Sequence, residues 1–259
     1  MLIVSTARVI ETPLRFVHFS GAQIAVAEEE HRAAAVTVRA ALWMVQHWGL
    51  VSVDAVAERA RALAPHWGAS ASIASRLLAA APSTRWLDGP DRRWFSLTMP
   101  TSQLEITVRK ILSVATSVRI EDLRDGLTKA VPAVAAAPYG VLEQYLRQVV
   151  HCTVDGAMVL PPAGLTVARA VLSPAEAKLV RILEAAGGAI EEPALRRRAL
   201  AAQLPEATTR RLLKISPLFL TAPGGLVRLI GRSSEARLTS RSGRTSNVTA
   251  LSAVASSLG

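Results

Sequence analysis

Apolar positions between residues 107 and 161 switch from helical to strand periodicity and back. Residues at helical spacing come first and lead into a short β-favouring stretch at 118–120. A second helix is predicted from Glu121, where acidic residues suit the positive end of the helix dipole. A third helix is predicted after Pro138, and two short apolar segments then flank the Asp-Gly pair at 155–156, a strong hairpin signal. The predicted order of helix, short strand, helix, helix and hairpin is that of a winged helix-turn-helix domain.

The same order of elements is predicted on both sides of this segment. The copy before it has a second helix from Val53 and a hairpin around 88–93. The copy after it has a second helix following Ile190, a third helix over 206–215 and a hairpin around 223–225. Elements that recur in register across three copies predict an internal repeat.

The spacing of equivalent points supports this repeat, because Val53 and Ile120 lie 67 residues apart and Ile120 and Ile190 lie 70 apart. The predicted fold is therefore mainly α with small β-hairpins, arranged as three tandem winged helix-turn-helix domains. The predicted divisions are an N-terminal extension at 1–30, winged helices at 31–99, 100–163 and 171–231, and a basic, Ser-rich, disordered tail at 232–259.

The charge of the chain is concentrated toward its C-terminal end. The 259 residues carry a formal net charge of +10. Residues 171–259 hold 13 basic and six acidic side chains, or +7, against +2 for residues 1–100 and +1 for residues 101–170. We therefore expect the contact surface for a polyanion to lie in the third repeat and the tail.

Several functional classes find little support in the sequence. Cys152 is the only cysteine, so no internal disulfide or cysteine-rich zinc site can form, and we expect a buried thiol in a strand. The neighbouring His151 would point to the opposite face of that strand, so the two cannot act as a base and nucleophile pair. No Gly-rich phosphate loop and no apolar run near ~18 residues occur. We expect a cytoplasmic protein that is not an enzyme, with no catalytic residue, metal, cofactor or membrane partner.

The chain resembles a group of bacterial proteins built from tandem winged helices, described as sigma factor region-four-like or HARE-HTH-type. The resemblance covers about residues 31–231 and is carried by RWLDGPDRRWFSL, VRKILSVATSVRIEDLRDGL and LSPAEAKLVRILEAAGGAIEEPALRRRAL. It implies a DNA-binding or transcription-associated role and supplies no catalytic residue. The third repeat departs from the pattern in its hairpin, which is less aromatic than the first.

The third repeat holds most of the candidate DNA contacts. A winged helix places its third helix in the major groove, and Arg210 and Lys214 would share one face of that helix. We expect Ile215 to point inward with the neighbouring leucines. A solvated helix face is the alternative interpretation. The candidate contacts in this repeat are Arg196, Arg197, Thr208, Thr209, Arg210, Arg211 and Lys214.

Other candidate DNA contacts lie in the first two repeats. An arginine at a hairpin tip can enter a narrow minor groove, and polar residues of a third helix can contact base edges. The candidates are Arg92 and Arg93 in the first hairpin, and Gln144 and Arg147 in the middle third helix. We expect the tryptophans beside the first hairpin, Trp86 and Trp94, to be core anchors. Because the middle repeat is almost neutral, a spacer or protein-binding role is the alternative there.

The predicted function is double-stranded DNA binding by a transcription-associated or defence-associated regulator, mainly through the third repeat. The alternative is a protein-interaction adaptor that uses its winged helices as docking modules in a larger complex. The expected partners are double-stranded DNA and RNA polymerase or another protein subunit. The charge on the three third helices distinguishes these functions, since apolar or acidic surfaces on all of them would favour the adaptor.

Overall fold

The computed structural model describes residues 13–98, 101–165 and 172–232, which we call the first, middle and third units. The described chain is mainly helical, with one two-stranded and three three-stranded sheets, all antiparallel. The prediction of a mainly α fold with small β-hairpins is confirmed. Of the predicted extension and tail, residues 1–12 and 233–259 lie outside the described residues.

The first unit begins with a hairpin and continues with three helices and a small sheet. Its elements are β1 (Leu14–Phe19), β2 (Ala22–Ala27), α1 (His31–Trp48), β3 (Val51–Ser52), α2 (Val53–Leu63), α3 (Ala71–Ala80), β4 (Thr84–Trp86) and β5 (Trp94–Leu97). Strand β5 lies between β3 and β4 in the sheet. The β4–β5 pair is the hairpin predicted around 88–93.

The middle unit repeats the order of helix, strand, helix, helix and hairpin. Its elements are α4 (Gln103–Val114), β6 (Val118–Arg119), α5 (Ile120–Ala130), α6 (Tyr139–Tyr145), β7 (Thr153–Asp155) and β8 (Met158–Leu160). Helix α6 continues as a wider π turn over Leu146–Val150. Strand β8 pairs with both β6 and β7.

The third unit has the same order again. Its elements are α7 (Pro174–Ala185), β9 (Ala189–Glu191), α8 (Glu192–Ala201), α9 (Glu206–Ile215), β10 (Phe219–Ala222) and β11 (Leu226–Leu229). Strand β11 lies between β10 and β9. The bounds of α9 match the predicted third helix.

Serine hydroxyls cap the start of four helices. The side chains accept a hydrogen bond from the backbone N–H three residues later, which satisfies a donor that the helix leaves free. The capping residues are Ser52, Ser70, Ser102 and Ser173. At Ser173 the Glu176 side chain also accepts from the Ser173 backbone N–H, so the capping box is complete.

The buried apolar residues form two cores. One fills the first unit between its N-terminal hairpin and its three helices. The other contains buried residues between Leu104 and Leu165 and between Leu172 and Ile230, together with Leu50 and Leu87 from the first unit. The described residues of the middle and third units therefore share one buried core.

Glycines allow the units to approach closely. A Cβ atom on Gly126 of α5 would lie 2.6 Å from the carbonyl oxygen of Pro217 in the third unit. Gly49 has φ +75°, and a Cβ there would lie 2.6 Å from the Cβ of Leu104 in the middle unit. These contacts fix how the surfaces of the three units are placed beside one another.

The structure differs from the sequence predictions at two elements. The β1–β2 hairpin was not predicted, although it buries Val17, Phe19 and Ile24 against the first-unit helices. Cys152 is buried as expected but precedes strand β7 instead of lying within it. In the described part of the chain, no helix is long and apolar enough to cross a membrane.

Candidate nucleic-acid interface

Helix α9 presents a basic face to solvent. Arg211 and Lys214 are exposed and form no ion pair within residues 13–98, 101–165 and 172–232. Arg210 is also exposed, but its guanidinium lies 2.9 Å from the Glu206 carboxylate one turn earlier. The face therefore carries two cations without a counter-charge and one that is partly neutralised.

The two threonines of α9 differ in accessibility. Thr208 is half-buried, whereas Thr209 has no exposed surface and its hydroxyl donates to the carbonyl oxygen of Pro205. Thr209 cannot reach a phosphate, so this predicted contact is wrong. The expectation that Ile215 points inward is also wrong, because its side chain is 45% exposed at the end of the helix.

The arginines of α8 are not equivalent. Arg196 is half-buried and pairs with Glu192 on its own helix, with the Glu206 carboxylate at 3.6 Å. Arg197 is exposed and has no ion pair in the described ranges. It lines a shallow cleft with Arg196, Leu200 and the β10–β11 turn. Arg197 is therefore available to a ligand, whereas Arg196 is held by acidic neighbours.

The tip of the first hairpin is held in a defined conformation by Asp88. One carboxylate oxygen of Asp88 accepts hydrogen bonds from the backbone N–H groups of Arg93 and Trp94, at 2.8 and 3.0 Å. Arg92 adopts φ +48°, in the left-handed region that few non-glycine residues occupy. Both Arg92 and Arg93 are exposed, so the hairpin presents two guanidinium groups from an ordered turn.

The aromatic residues beside this hairpin differ in burial. Phe95 is fully buried, and Trp86 and Trp94 are half-buried. Trp86 packs against the first-unit core and lies edge-on to Phe95, with ring centroids 6.1 Å apart. Trp94 packs instead against the core that the middle and third units share. The two tryptophans thus contact different cores, and each leaves part of its ring at the surface.

In the middle unit, Gln144 is accessible to a ligand, whereas Arg147 is held by contacts within the unit. Arg147 lies 2.8 Å from the Glu143 carboxylate and also donates to the Val154 carbonyl oxygen at 2.7 Å. These contacts tie α6 to strand β7 and give Arg147 a structural role. Gln144 is exposed, and its amide oxygen accepts from Gln148 at 3.0 Å.

A cavity of about 660 Å³ brings together candidates from two units. It lies between the first hairpin and α6, and its lining includes Arg93 and Gln144, which the sequence placed in separate repeats. Trp86 and Trp94 border the same space. Nearby, the Arg85 guanidinium donates to the carbonyl oxygen of Gln148, which joins the hairpin strand to α6.

A second cleft, of about 870 Å³, lies between the middle and third units. The middle unit contributes residues of α5 and the start of α6, and the third unit contributes the end of α9 and strands β10 and β11. The titratable side chains that line it are Arg124, Asp125, Lys129, Tyr139, Lys214 and Arg228. Of these, only Lys214 was a sequence candidate, because the cleft depends on how two units pack.

Two cations of this cleft hold its walls together. The Arg228 guanidinium donates to both oxygens of the Asp122 carboxylate across the unit boundary. The Lys129 ammonium donates to the backbone carbonyls of Leu213 and Phe219, at 3.1 and 2.6 Å. Burial lowers the pKa of Lys129, and the nearby Asp125 carboxylate acts in the opposite direction.

Cys152 shows no sign of a reactive thiol. Burial raises its pKa to about 11, with Arg109 acting in the opposite direction, so the thiol stays protonated near neutral pH. Among the described residues, no group of three or more His, Cys, Asp or Glu side chains could hold a metal ion.

Comparison of the chain with protein-family models and with curated proteins gives no match.

Proposed function

We propose that this chain is a DNA-binding protein built from three tandem winged helices, which binds duplex DNA mainly through its third unit. The order of helix, strand, helix, helix and hairpin in each unit supports the fold assignment, as does the three-stranded sheet that closes each unit. In such domains the third helix enters the major groove and the hairpin contacts the backbone or minor groove. The regulatory role that we propose is transcription-associated or defence-associated.

The observation that carries this proposal is the difference in charge among the three third helices. On α3, Arg76 lies 2.6 Å from the Glu30 carboxylate, and on the π turn that continues α6, Arg147 is paired with Glu143. Helix α9 alone among the three exposes basic side chains without an ion pair in the described part of the chain, namely Arg211 and Lys214. Cations without a counter-charge are free to replace the counterions condensed on DNA.

The adaptor function is the second candidate, and exposed apolar residues of the first unit favour it. Leu14 and Phe16 on the outer face of β1 are 61% and 47% exposed. On the same unit Trp43 and Trp67 are 40% and 44% exposed. Exposed aromatic and aliphatic side chains of this kind are typical of protein contacts.

Salt-dependent binding of the whole chain distinguishes the two functions. Fluorescence anisotropy would measure binding to a labelled random-sequence duplex between about 50 and 200 mM salt. The two basic residues of α9 without an ion pair in the described ranges, Arg211 and Lys214, predict a log–log slope of roughly 1.8 or more in magnitude, at about 0.9 per phosphate contact. A chain that does not bind, or binds with a slope near zero, would contradict DNA binding and favour the adaptor.

A further inference from the structure

The cleft between the middle and third units contains basic side chains beyond those that join its two walls. Its lining carries four basic side chains and one exposed carboxylate, that of Asp125. Arg228 is neutralised by Asp122, and Lys129 points at two backbone carbonyls. Arg124 from the middle unit and Lys214 from the third unit remain as the cations available to a ligand.

Arg124 is held in position before any ligand arrives. Its guanidinium carbon lies 4.3 Å from the ring centroid of Tyr139, a cation–π arrangement. One of its terminal nitrogens donates to the carbonyl oxygen of Ala135 at 2.7 Å. A guanidinium has five N–H donors in a planar fork, and these contacts leave other donors free for the paired oxygens of a phosphate.

Several contacts join the two walls of the cleft across the unit boundary. The Arg228–Asp122 pair, the Lys129 hydrogen bonds and the close approach of Gly126 to Pro217 all cross the boundary between the two units. A charged site whose groups are already fixed loses less conformational entropy when a ligand binds. Lys214 and Arg124 therefore line the same preformed space from two different units.

We propose that this cleft is a phosphate-binding site, with Arg124 and Lys214 as the phosphate ligands and Tyr139 as a positioning residue for the guanidinium. We assign this phosphate to the DNA backbone, and that assignment rests on the proposed function. The site extends the DNA path from α9 onto the middle unit, although that unit's summed charge is close to zero. The net charge of the middle unit does not indicate the site, because the Asp122 and Asp125 carboxylates cancel the charge of nearby basic side chains.

Chemical protection tests the site in the unaltered chain. Phenylglyoxal modification of arginines, followed by peptide mass spectrometry, would compare the free chain with the chain plus random-sequence duplex or plus inorganic pyrophosphate. Both additions should protect Arg124. Arg119 is the internal control, because it is an exposed arginine of the same unit that does not line the cleft. Modification of Arg124 at the same rate in all three samples would overturn the proposal.

Matched variants test the contribution of the site to DNA affinity. Arg124→Gln should reduce the magnitude of the salt slope by about 0.9, the value for one phosphate contact. Arg119→Gln makes the same charge change and should leave the slope within error. Arg124→Lys should recover only part of the affinity, because an ammonium lacks the planar fork. Equal slopes for Arg124→Gln and Arg119→Gln, in variants with unchanged thermal unfolding, would overturn the proposal.

The results of these experiments distinguish a failure of the cleft proposal from a failure of the proposed DNA-binding function. DNA binding with no protection of Arg124 by either addition would retain the function of α9 and overturn the cleft. Protection by pyrophosphate in a chain that does not bind duplex would support the phosphate site and contradict DNA as its source. If Arg124→Gln does not fold, the protection experiment on the unaltered chain decides.

Discussion

Lys110 and Glu176 form an ion pair that joins the middle unit to the third, with Lys110 Nζ 2.6 Å from Glu176 Oε1. Glu176 is only 3% exposed. Its carboxylate also accepts from the Ser216 hydroxyl at 2.8 Å and from the Ser173 backbone N–H at 3.0 Å. One buried carboxylate therefore connects α4, the start of α7 and the residue that follows α9, the proposed DNA-contacting helix.

Replacing this carboxylate should destabilise the protein. Glu176→Gln leaves the Lys110 ammonium without its counter-ion and weakens the hydrogen bonds at the cap of α7. We expect a loss of about 1–3 kcal/mol in the free energy of unfolding, the range for a disrupted buried polar group. Urea denaturation measures it. Glu184→Gln on the same helix is the control, because the Glu184 side chain is 43% exposed and should change stability by less than about 0.5 kcal/mol.

The stabilisation by Glu176 should depend on pH. Burial alone would raise the pKa of Glu176, but the hydrogen bonds from Lys110, Ser173 and Ser216 lower it below its ordinary value. Because the pKa of Glu176 is lower in the folded state than in the unfolded state, its ionised carboxylate stabilises the protein at pH values above the unfolded pKa of about 4.3. This stabilisation is lost as the pH falls through the folded-state pKa. The stability difference between wild type and Glu176→Gln should therefore shrink from about pH 7 to about pH 3. A difference that stays constant over this range would contradict the assignment.

Packing across the middle–third boundary can be tested with a pair of glycine substitutions. Both Gly126 and Gly140 lie in helices, where alanine is intrinsically favoured by about 1 kcal/mol. At Gly126 the added Cβ would meet the Pro217 carbonyl oxygen at 2.6 Å, so Gly126→Ala should destabilise by about 1–3 kcal/mol. At Gly140 the Cβ meets no atom of the described chain within 4 Å, so Gly140→Ala should be neutral or stabilising. Equal effects in thermal unfolding would show that the units do not pack as described.

The shared core also predicts how fragments behave. The described residues of α4 to β11 contribute to one buried core, so residues 101–259 should unfold cooperatively. Residues 171–259 alone would expose the faces that contact α4 and α5 and should lack a cooperative transition. Circular dichroism with urea denaturation tests both fragments. A sharp, stable transition in 171–259 would contradict the shared core.

Local order was predictable from the sequence where turn chemistry and periodicity agree. The Asp-Gly turn at 155–156 and helix α9 were placed correctly because each depends on neighbouring residues alone. The β1–β2 hairpin was missed because apolar residues lie on both faces of β1, with Phe16 exposed beside buried Val17, which obscures the alternation of a strand.

The candidate site was predictable only in part, for two different reasons. The neutralisation of three candidate arginines was already visible in the sequence, since each follows a glutamate by four residues. These pairs are Glu143–Arg147, Glu192–Arg196 and Glu206–Arg210. The stacking of Arg124 on Tyr139 and its cleft with Lys214 could not be predicted, because no spacing within one repeat encodes how two repeats pack.

The most direct test of DNA binding through α9 is the salt slope of Arg211→Gln/Lys214→Gln on a random-sequence duplex, measured by fluorescence anisotropy. The matched control is Arg32→Gln/Arg39→Gln, which removes two exposed arginines of α1 that form no ion pair within the described ranges. We expect the α9 variant to lower the magnitude of the slope by roughly 1.8 and to weaken binding, while the α1 variant matches wild type. An α9 variant that stays folded and keeps the wild-type slope and affinity would contradict DNA binding through this helix.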